Sequence, residues 1–344
     1  MAENEKVNRR HWLLLAGGGW VGGCLPFSGG GVRSWDRGTL DEAEKILSAT
    51  GCRGWGAWEE GTLKKAWRTH EQGPVMSITK TLAMLGGVKA AEQGWLSLDE
   101  RVAETLTEWQ GVEGKQEIRI QMLLQMTAGL DEGVAALYRA HPQDKGSVAM
   151  ALPLREAPGE GFRYGPACWE LLGEVLKRKC AARGTTVERF LQSAVMRPIG
   201  LTGGDWKKDG SGQIYLSTGA ELTVTGLGRL GRTLVELLNG RDAAGLSASH
   251  FRAWTRPSSA NSMFGGGLWR NRGSREIEVE DQLDQPQSAA FWNGACLSRH
   301  QPGSLVALIG SSGQRVWIWP EEGRVLARLG YSPQWKDRPL LAVV

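Results

Sequence analysis

The sequence has few residues of the kinds that bind metals or build disulfide frameworks. Its 344 residues include only 5 cysteines and 5 histidines. The cysteines form no Cys-x-x-Cys pair and the histidines no His-Glu-x-x-His pair, which excludes zinc knuckles, thioredoxin-type sites and helical zinc-protease sites. We therefore expect no metal and no cofactor, and we expect most of the cysteines to be buried thiols.

A strong charge imbalance is also missing. The 41 basic and 37 acidic residues leave a net charge of only +4, too small to indicate a nucleic-acid groove or a polybasic membrane surface. No apolar run approaches the ~18 residues of a membrane-spanning helix. The content of 41% apolar and 23% charged residues is typical of a globular chain, and the length suits one large or two small domains.

The N-terminus has the layout of an export signal. Arg9 and Arg10 precede the apolar stretch Trp12–Gly23, as in a twin-arginine signal. The sequence Val21–Cys24 resembles a bacterial lipobox, in which the cysteine accepts a lipid. We therefore predict an export signal over residues 1–24, a periplasmic or membrane-anchored extracytoplasmic location, and a possible lipid anchor on Cys24. The alternative is a frayed cytosolic tail.

Residues 25–40 are predicted to be a linker because Pro26–Gly38 is rich in glycine and serine. Hydrophobic periodicity then predicts secondary structure throughout residues 41–344. The predicted helices are Asp41–Ser48, Ser77–Gln93, Trp169–Lys179, Val187–Met196 and Leu222–Leu238, with a further helical stretch around Leu123 and Leu124. The predicted strands are a hairpin formed by Gly54–Trp58 and Thr62–Trp67, followed near the end by Ser304–Ile309, Val316–Trp319 and Val325–Leu329.

Strands near both ends and helices between them predict an α+β fold. The two ends of the chain would build one sheet flanked by helices, over about 41–110 and 265–344. An all-helical region would be inserted over about 111–264. The glycines of Gly226–Gly231 match the dinucleotide motif Gly-x-Gly-x-x-Gly, but leucines at helical spacing run through them. They therefore indicate close helix packing rather than a phosphate site.

The chemistry-bearing motif is Ser77-Ile78-Thr79-Lys80 at the predicted start of a helix. Residues three apart share a helix face, so the Lys80 amine can reach the Ser77 hydroxyl. A lysine with a lowered pKa can remove the hydroxyl proton and make the serine a nucleophile. The helix N-terminus adds free N–H groups where an oxyanion would develop.

The motifs that accompany this tetrad are Leu123–Leu130, Pro158–Pro166, Leu171–Gly173, Arg197–Leu201, Phe264–Trp269 and Phe291–Ala295. Together with it they resemble the class C β-lactamase-related serine hydrolases, a family that includes penicillin-binding-protein-like D-alanyl-D-alanine carboxypeptidases, esterases and 6-aminohexanoate-dimer hydrolases. The resemblance runs from about Asp41 to the C-terminus and implies the β-lactamase/transpeptidase-like fold, an antiparallel sheet flanked by helices with a helical region.

The resemblance implies roles for three residues: Ser77 as the acylated nucleophile, Lys80 as its general base and Tyr164 as the proton relay. For Tyr164, a core aromatic is the alternative. The second motif is usually Tyr-x-Asn, but Pro166 stands at the Asn position. The amide that would orient the lysine and the substrate is therefore missing.

The third motif, usually Lys-Thr-Gly or His-x-Gly, is best matched by Trp292-Asn293-Gly294, which contains no cation. This placement puts Trp292 and Gly294 at the substrate and makes the backbone N–H groups of Ser77 and Ala295 the oxyanion hole. Ile309-Gly310-Ser311 is a competing placement. Without the cation we expect no efficient hydrolysis of β-lactams.

Two functions from different classes remain open. The first is an exported serine hydrolase that acts through an acyl-enzyme on a small-molecule or peptide-like ester or amide, with no nucleic acid as partner. The second is a binding or sensor module of the same fold with little or no turnover. The incomplete second and third motifs favour the module, whereas the intact Ser77, Lys80 and Tyr164 set favours the enzyme.

Overall fold

A computed structural model describes residues 35–49, 51–201, 204–280 and 283–344. The predicted export signal and the predicted lipid-accepting Cys24 lie outside these ranges. Within them, no helix has the length and apolar character needed to cross a membrane.

The described residues form α-helices and β-strands that are joined by loops and by short 3-10 and π-helical segments. The helices are α1 Arg37–Ala49, α2 Thr79–Glu92, α3 Val102–Thr105, α4 Ile120–Gln125, α5 Lys145–Ala151, α6 Ala167–Ala181, α7 Val187–Leu191, α8 Arg197–Ile199, α9 Val224–Leu238, α10 Ala248–Trp254, α11 Ala289–Gly294 and α12 Arg338–Leu341. The strands are β1 Cys52–Glu59, β2 Thr62–Trp67, β3 Gln72–Pro74, β4 Glu221–Thr223, β5 Phe264–Gly265, β6 Leu268–Arg270, β7 Ile277–Glu278, β8 Ala295–Cys296, β9 Val306–Gly310, β10 Gln314–Trp319 and β11 Arg324–Gly330.

Seven strands form one antiparallel sheet in the order β2-β1-β11-β10-β9-β6-β5. Strand β1 from the start of the domain pairs with β11 from its end, so the predicted sheet built from both chain ends is confirmed. Five consecutive residues of β1, Gly54–Trp58, are buried. Because strand side chains alternate between faces, this burial means that both faces of β1 are covered.

The glycine motif lies inside α9, as its leucine spacing predicts, and helix α9 packs on β1, β10 and β11. A Cβ atom at Gly228 would come within 2.6 Å of the Trp58 ring. The absence of that atom lets the helix approach the sheet closely, so the packing interpretation of the motif is confirmed.

Several local predictions need adjustment. Helix α1 begins at Arg37, within the stretch predicted to be linker. The predicted helix over Val187–Met196 is α-helical to Leu191 and π-helical over Gln192–Met196. Of the cysteines within the described ranges, all four are free thiols and three are buried.

Candidate active site

Ser77 lies in a tight turn that leads from β3 into α2. The turn Met76–Ile78 is a short 3-10 helix that continues directly into α2. Met76, just before the serine, has φ 50, a left-handed conformation that is strained for a side chain such as methionine. The turn places Ser77 at the N-terminus of the helical segment, where the first backbone N–H groups have no intrahelical acceptor.

Lys80 lies one turn further along the same face. Its Nζ atom is 2.8 Å from Ser77 Oγ and donates a second hydrogen bond to the Ser217 carbonyl oxygen at 3.0 Å. The side chain is almost fully buried. Burial disfavours the ammonium form and lowers the pKa of Lys80 to about 7, whereas the charge of Glu170 acts to raise it.

Tyr164 completes the group predicted to be catalytic. Its ring centre lies 5.2 Å from Lys80 Nζ, and its side chain lines the same cleft as Ser77. Burial raises the pKa of Tyr164 to about 12, and the side chain of Ser77 acts to lower it. The phenol is therefore protonated at neutral pH and able to donate. The structure brings together the three residues that the sequence selected.

Aromatic side chains fix the Tyr164 ring in place. The ring packs against Phe264 with centroids 5.8 Å apart and against Trp269 at the same distance. The Phe162 ring contacts all three of these rings. This packing restricts the ring to one orientation, which positions the hydroxyl at Ser77.

The structure also shows how Lys80 is oriented without the missing amide at Pro166. The Ser217 carbonyl accepts the hydrogen bond from Lys80, and the Ser217 peptide is in turn held by Glu170. Sequence reasoning did not select Ser217 or Glu170. The available signal was an acidic residue within the apolar stretch Trp169–Leu172 of a predicted helix, which is unusual for a buried helix face.

A cleft of about 340 Å³ opens above Ser77 and Tyr164. One of its walls is the end of β9 and the turn that follows. A Cβ atom at Gly310 would lie 2.5 Å from the Val75 carbonyl oxygen, so glycine is what allows β9 to lie against the nucleophile turn. The other lining residues are Trp269, Glu280, Leu283, Asp284, Ile309, Ser311, Ser312, Gly313, Arg315, Pro333 and Trp335.

This arrangement corrects the preferred placement of the third motif. Trp292 is fully buried against Phe162 and Trp269, and neither it, Gly294 nor Ala295 lines the cleft. The Ala295 N–H, predicted to bind the oxyanion, donates to the Trp292 carbonyl instead. The competing segment Ile309-Gly310-Ser311 lies at the cleft, because β9 and not β8 belongs to the main sheet beside the nucleophile turn.

The charged residues of the described cleft lining are one arginine, Arg315, and two carboxylates, Glu280 and Asp284. Arg315 makes a two-oxygen ion pair with Asp337 and also donates to the Gly310 carbonyl. Its positive charge is therefore largely neutralised. Arg315 is the only cation among the described lining residues, and it is paired. This part of the cleft therefore has two carboxylates and no unpaired cation.

A larger groove of about 790 Å³ lies elsewhere, lined by parts of α9 and the turn between β10 and β11. None of its described lining residues is a serine or a lysine, so the Ser-Lys chemistry belongs to the smaller cleft. Across the described ranges, no three histidine, cysteine or carboxylate side chains are grouped so that they could hold a metal ion.

Comparison with known proteins agrees with the fold described above. The family profile named Beta-lactamase matches residues 47–342. The chain belongs to the beta-lactamase family. Members of this family are serine hydrolases. A search of curated proteins found no match for this family member.

Solved structures show the same fold at low sequence identity. A penicillin-binding protein homologue from Caulobacter crescentus is 16% identical with a TM-score of 0.61, covering 89% of this chain and 95% of the other. EstCE1, a hydrolase with promiscuous acyltransferase activity, is 16% identical with a TM-score of 0.65, covering 89% and 97%. A D-stereospecific amidohydrolase from Streptomyces sp. is 17% identical with a TM-score of 0.59, covering 90% and 97%.

Proposed function

We propose that this beta-lactamase family member is an exported serine hydrolase that cleaves an ester or amide through an acyl-enzyme on Ser77. The observation that carries the proposal is the 2.8 Å contact between Lys80 Nζ and Ser77 Oγ at the base of an open cleft. A buried lysine with a pKa near neutrality is neutral in part of the molecules at pH 7. In that form it can accept a proton.

Acylation begins when Lys80 takes the hydroxyl proton of Ser77. The Ser77 oxygen then forms a bond to the substrate carbonyl carbon, and the carbonyl π-electrons move to its oxygen. When the tetrahedral intermediate collapses, the bond to the leaving oxygen or nitrogen breaks. Tyr164, protonated at this pH, donates a proton to the leaving group, and Lys80 returns the proton that the phenol has lost.

Two backbone N–H groups are suited to bind the oxyanion. One belongs to Ser77, at the start of the helical segment. The other belongs to Ser311, which directly follows Gly310 on the opposite wall of the cleft. Fixed donors on both sides of the carbonyl oxygen stabilise the negative charge that develops there.

Deacylation uses the same groups in reverse. A water molecule loses a proton to Lys80, and its oxygen attacks the acyl carbon. The bond to Ser77 breaks, and the serine oxygen recovers a proton. The product acid leaves, and no cofactor takes part in this sequence.

The charges of the cleft favour uncharged or cationic substrates. A substrate carboxylate would face Glu280 and Asp284, while the Arg315 guanidinium is already paired with Asp337. Because no unpaired cation lines the described cleft, efficient hydrolysis of penicillins, which are anionic, is not expected. Neutral esters are the first substrates to test.

The test is intact-mass analysis of the chain from residue 25 onward after incubation with a fluorophosphonate, a p-nitrophenyl ester and a penicillin. The wild type should gain one fluorophosphonate adduct, and Ser77→Ala should gain none. Ser332→Ala, a serine outside the cleft lining, is the matched control and should label as the wild type does. If the wild type remains unlabelled by all three probes, the binding or sensor module becomes the better interpretation.

Export is a separate part of the proposal and rests on the sequence of residues 8–24. Replacing Arg9 and Arg10 together by lysine should retain the protein in the cytoplasm of a bacterial host that has a twin-arginine pathway. Cys24→Ala should release an exported protein from the membrane fraction. Identical fractionation of the wild type and both variants would contradict export by this signal and anchoring at this cysteine.

A further inference from the structure

A buried carboxylate lies behind the catalytic group, on the side away from the cleft. Glu170 is in the first turn of α6 and is buried. It accepts hydrogen bonds from the backbone N–H of Ser217 at 3.2 Å, from the Ser217 hydroxyl, and from the Leu216 N–H at 3.4 Å. The Ser217 carbonyl is the oxygen that accepts from Lys80. One residue, Ser217, therefore joins the carboxylate to the general base.

The charge of this carboxylate also acts on a second buried lysine. Lys145 on α5 is buried, and its Nζ lies 3.7 Å from the Tyr215 ring centre and 5.4 Å from that of Tyr138. The face of an aromatic ring favours a cation, whereas burial lowers the pKa of Lys145 and the charge of Glu170 acts to raise it. The charge of Glu170 acts on Lys145 and on Lys80 alike.

The charge of one buried carboxylate therefore acts on two buried lysines with different requirements. Burial raises the pKa of Glu170, and the hydrogen bonds from Ser217 and the charge of Lys145 act to lower it. A buried charge is tolerated when it has a partner of opposite charge. If Glu170 were the partner of Lys80 alone, the pair would be a stable ammonium carboxylate and Lys80 could not act as a base. With Lys145 as the partner of Glu170, Lys80 can lose its proton without leaving a buried carboxylate unpaired.

We propose that Glu170 is a positioning residue of the active site and that Lys145 is its counter-ion. Glu170 holds the Ser217 peptide so that its carbonyl fixes Lys80 against Ser77. Lys145 neutralises the carboxylate, which keeps Lys80 available as the base. This proposal rests on the proposed function, because it assigns a role relative to acylation of Ser77.

Other ionisable groups also lie near Lys80 and Lys145, and their charge states decide which of them act on these two lysines. Tyr138 and Tyr164 are buried phenols whose pKa values are raised by burial, so both are neutral near pH 7. Asp209 also acts on Lys145, but its carboxylate accepts hydrogen bonds from the backbone N–H groups of Lys145, Ser211 and Gln213. Glu170 is therefore the carboxylate whose charge bears on Lys80.

The experiment measures the rate of Ser77 labelling by a fluorophosphonate as a function of pH from 5 to 9.5. The midpoint of the rising limb reports the pKa of the base that activates Ser77. Glu170→Gln removes the negative charge and should move the midpoint about one pH unit lower. Lys145→Met removes the counter-charge and should move the midpoint higher, because the uncompensated carboxylate stabilises the Lys80 ammonium.

Two matched variants control for general damage. Glu174→Gln changes a buried glutamate one turn further along α6, where Lys177 and Arg178 are its partners. Lys115→Met changes a lysine that also lies over an aromatic ring, that of Trp109. Both should retain the wild-type midpoint.

The proposal is supported if the labelling midpoint moves lower in Glu170→Gln and higher in Lys145→Met. Loss of packing alone would not move the midpoint in opposite directions in the two variants. Midpoints within 0.2 pH units of the wild type, or shifts in one direction only, overturn it. If Glu170→Gln does not fold, the Lys145→Met midpoint decides, and an unchanged value overturns the proposal. A wild type that is not labelled at all, or a Ser77→Ala variant labelled equally, overturns the proposed function and this proposal with it.

Discussion

Gly310 and Val75 approach so closely that a Cβ atom on Gly310 would lie 2.5 Å from the Val75 carbonyl oxygen. This contact joins the end of β9 to the turn that carries Ser77. It sets the width of the cleft at the nucleophile, and it explains why a glycine stands at this point of the strand.

Gly310→Ala should therefore damage the site and the fold together. The added methyl group must push β9 away from the nucleophile turn, with an expected loss of about 1–3 kcal/mol in the free energy of unfolding. Ester hydrolysis should fall at least 10-fold, because the Ser311 N–H moves with the strand. Denaturant unfolding and kcat/KM are the measurements.

Gly303→Ala is the control for that substitution. A Cβ atom there would meet only the Asn271 carbonyl oxygen, at an ordinary 3.6 Å. It should leave both quantities near the wild-type values. Equal behaviour of the two alanine variants would mean that the close approach of β9 has no consequence for the site.

Lys80→Met should abolish acylation and stabilise the fold. Burial lowers the pKa of Lys80 from 10.5 to about 7, so between these values the unfolded chain binds one more proton than the folded one. The resulting cost to folding is complete below about pH 7 and disappears as the pH rises toward 10.5. The substitution should therefore raise the free energy of unfolding at pH 7 by at most about 5 kcal/mol, the equivalent of this pKa shift.

The measurement is thermal or denaturant unfolding of Lys80→Met and wild type at pH 7 and at pH 9.5. The gain should be larger at pH 7. Lys115→Met, at a half-buried lysine outside the cleft, controls for the general effect of replacing lysine by methionine. A gain that does not depend on pH would argue against a buried, pKa-shifted Lys80.

Hydrolysis by the wild type should increase with pH through a midpoint near 7. The neutral amine of Lys80 is the active form, and its fraction rises as the pH passes its pKa. The slope of log kcat/KM for a p-nitrophenyl ester should approach one below the midpoint and zero above it. A rate that is independent of pH between 5.5 and 8.5 would exclude Lys80 as the base.

Tyr164→Phe should affect substrates according to their leaving groups. The phenol is protonated because burial raises its pKa to about 12, so its role at neutral pH is to donate. An amide requires that proton, and we expect a loss of about 100-fold or more in kcat/KM with a p-nitroanilide. A p-nitrophenyl ester should lose much less, because p-nitrophenolate departs unprotonated.

Tyr331→Phe is the control for Tyr164→Phe. Tyr331 is 67% exposed and lies outside the cleft lining. It should leave both substrates unaffected. Equal losses for the ester and the amide in Tyr164→Phe would indicate a packing role for the ring, which is the alternative that the sequence left open.

Most of the fold followed from local patterns. Alternating residues around a tight turn predicted the hairpin of β1 and β2, and leucine spacing predicted that Gly226–Gly231 lies inside a helix. The Ser77 and Lys80 contact also followed from the sequence, because residues three apart meet on any helix face. These features depend on residues that are close together in the sequence, so they could be predicted without knowledge of the tertiary structure.

The segment that supplies the third motif could not be identified from local patterns. Gly294 and Gly310 each precede a small residue near the end of the chain, and both segments fit a strand beside the nucleophile. The order of strands in the sheet decides between them, and that order depends on pairing between distant parts of the chain. Local periodicity contains no information about it.

The sequence by itself determined the chemistry that is possible: a nucleophile and its base on one helix turn, a tyrosine to relay the proton, and helices between two sheet-forming ends. Only the tertiary structure decided which glycine borders the cleft and which carboxylate lies behind Lys80. Glu170 is 90 residues from Lys80 along the chain, and the Ser217 loop that links them is another 47 residues on. Their effect on one amine exists only because folding excludes water from the space between them, where charges act on each other strongly.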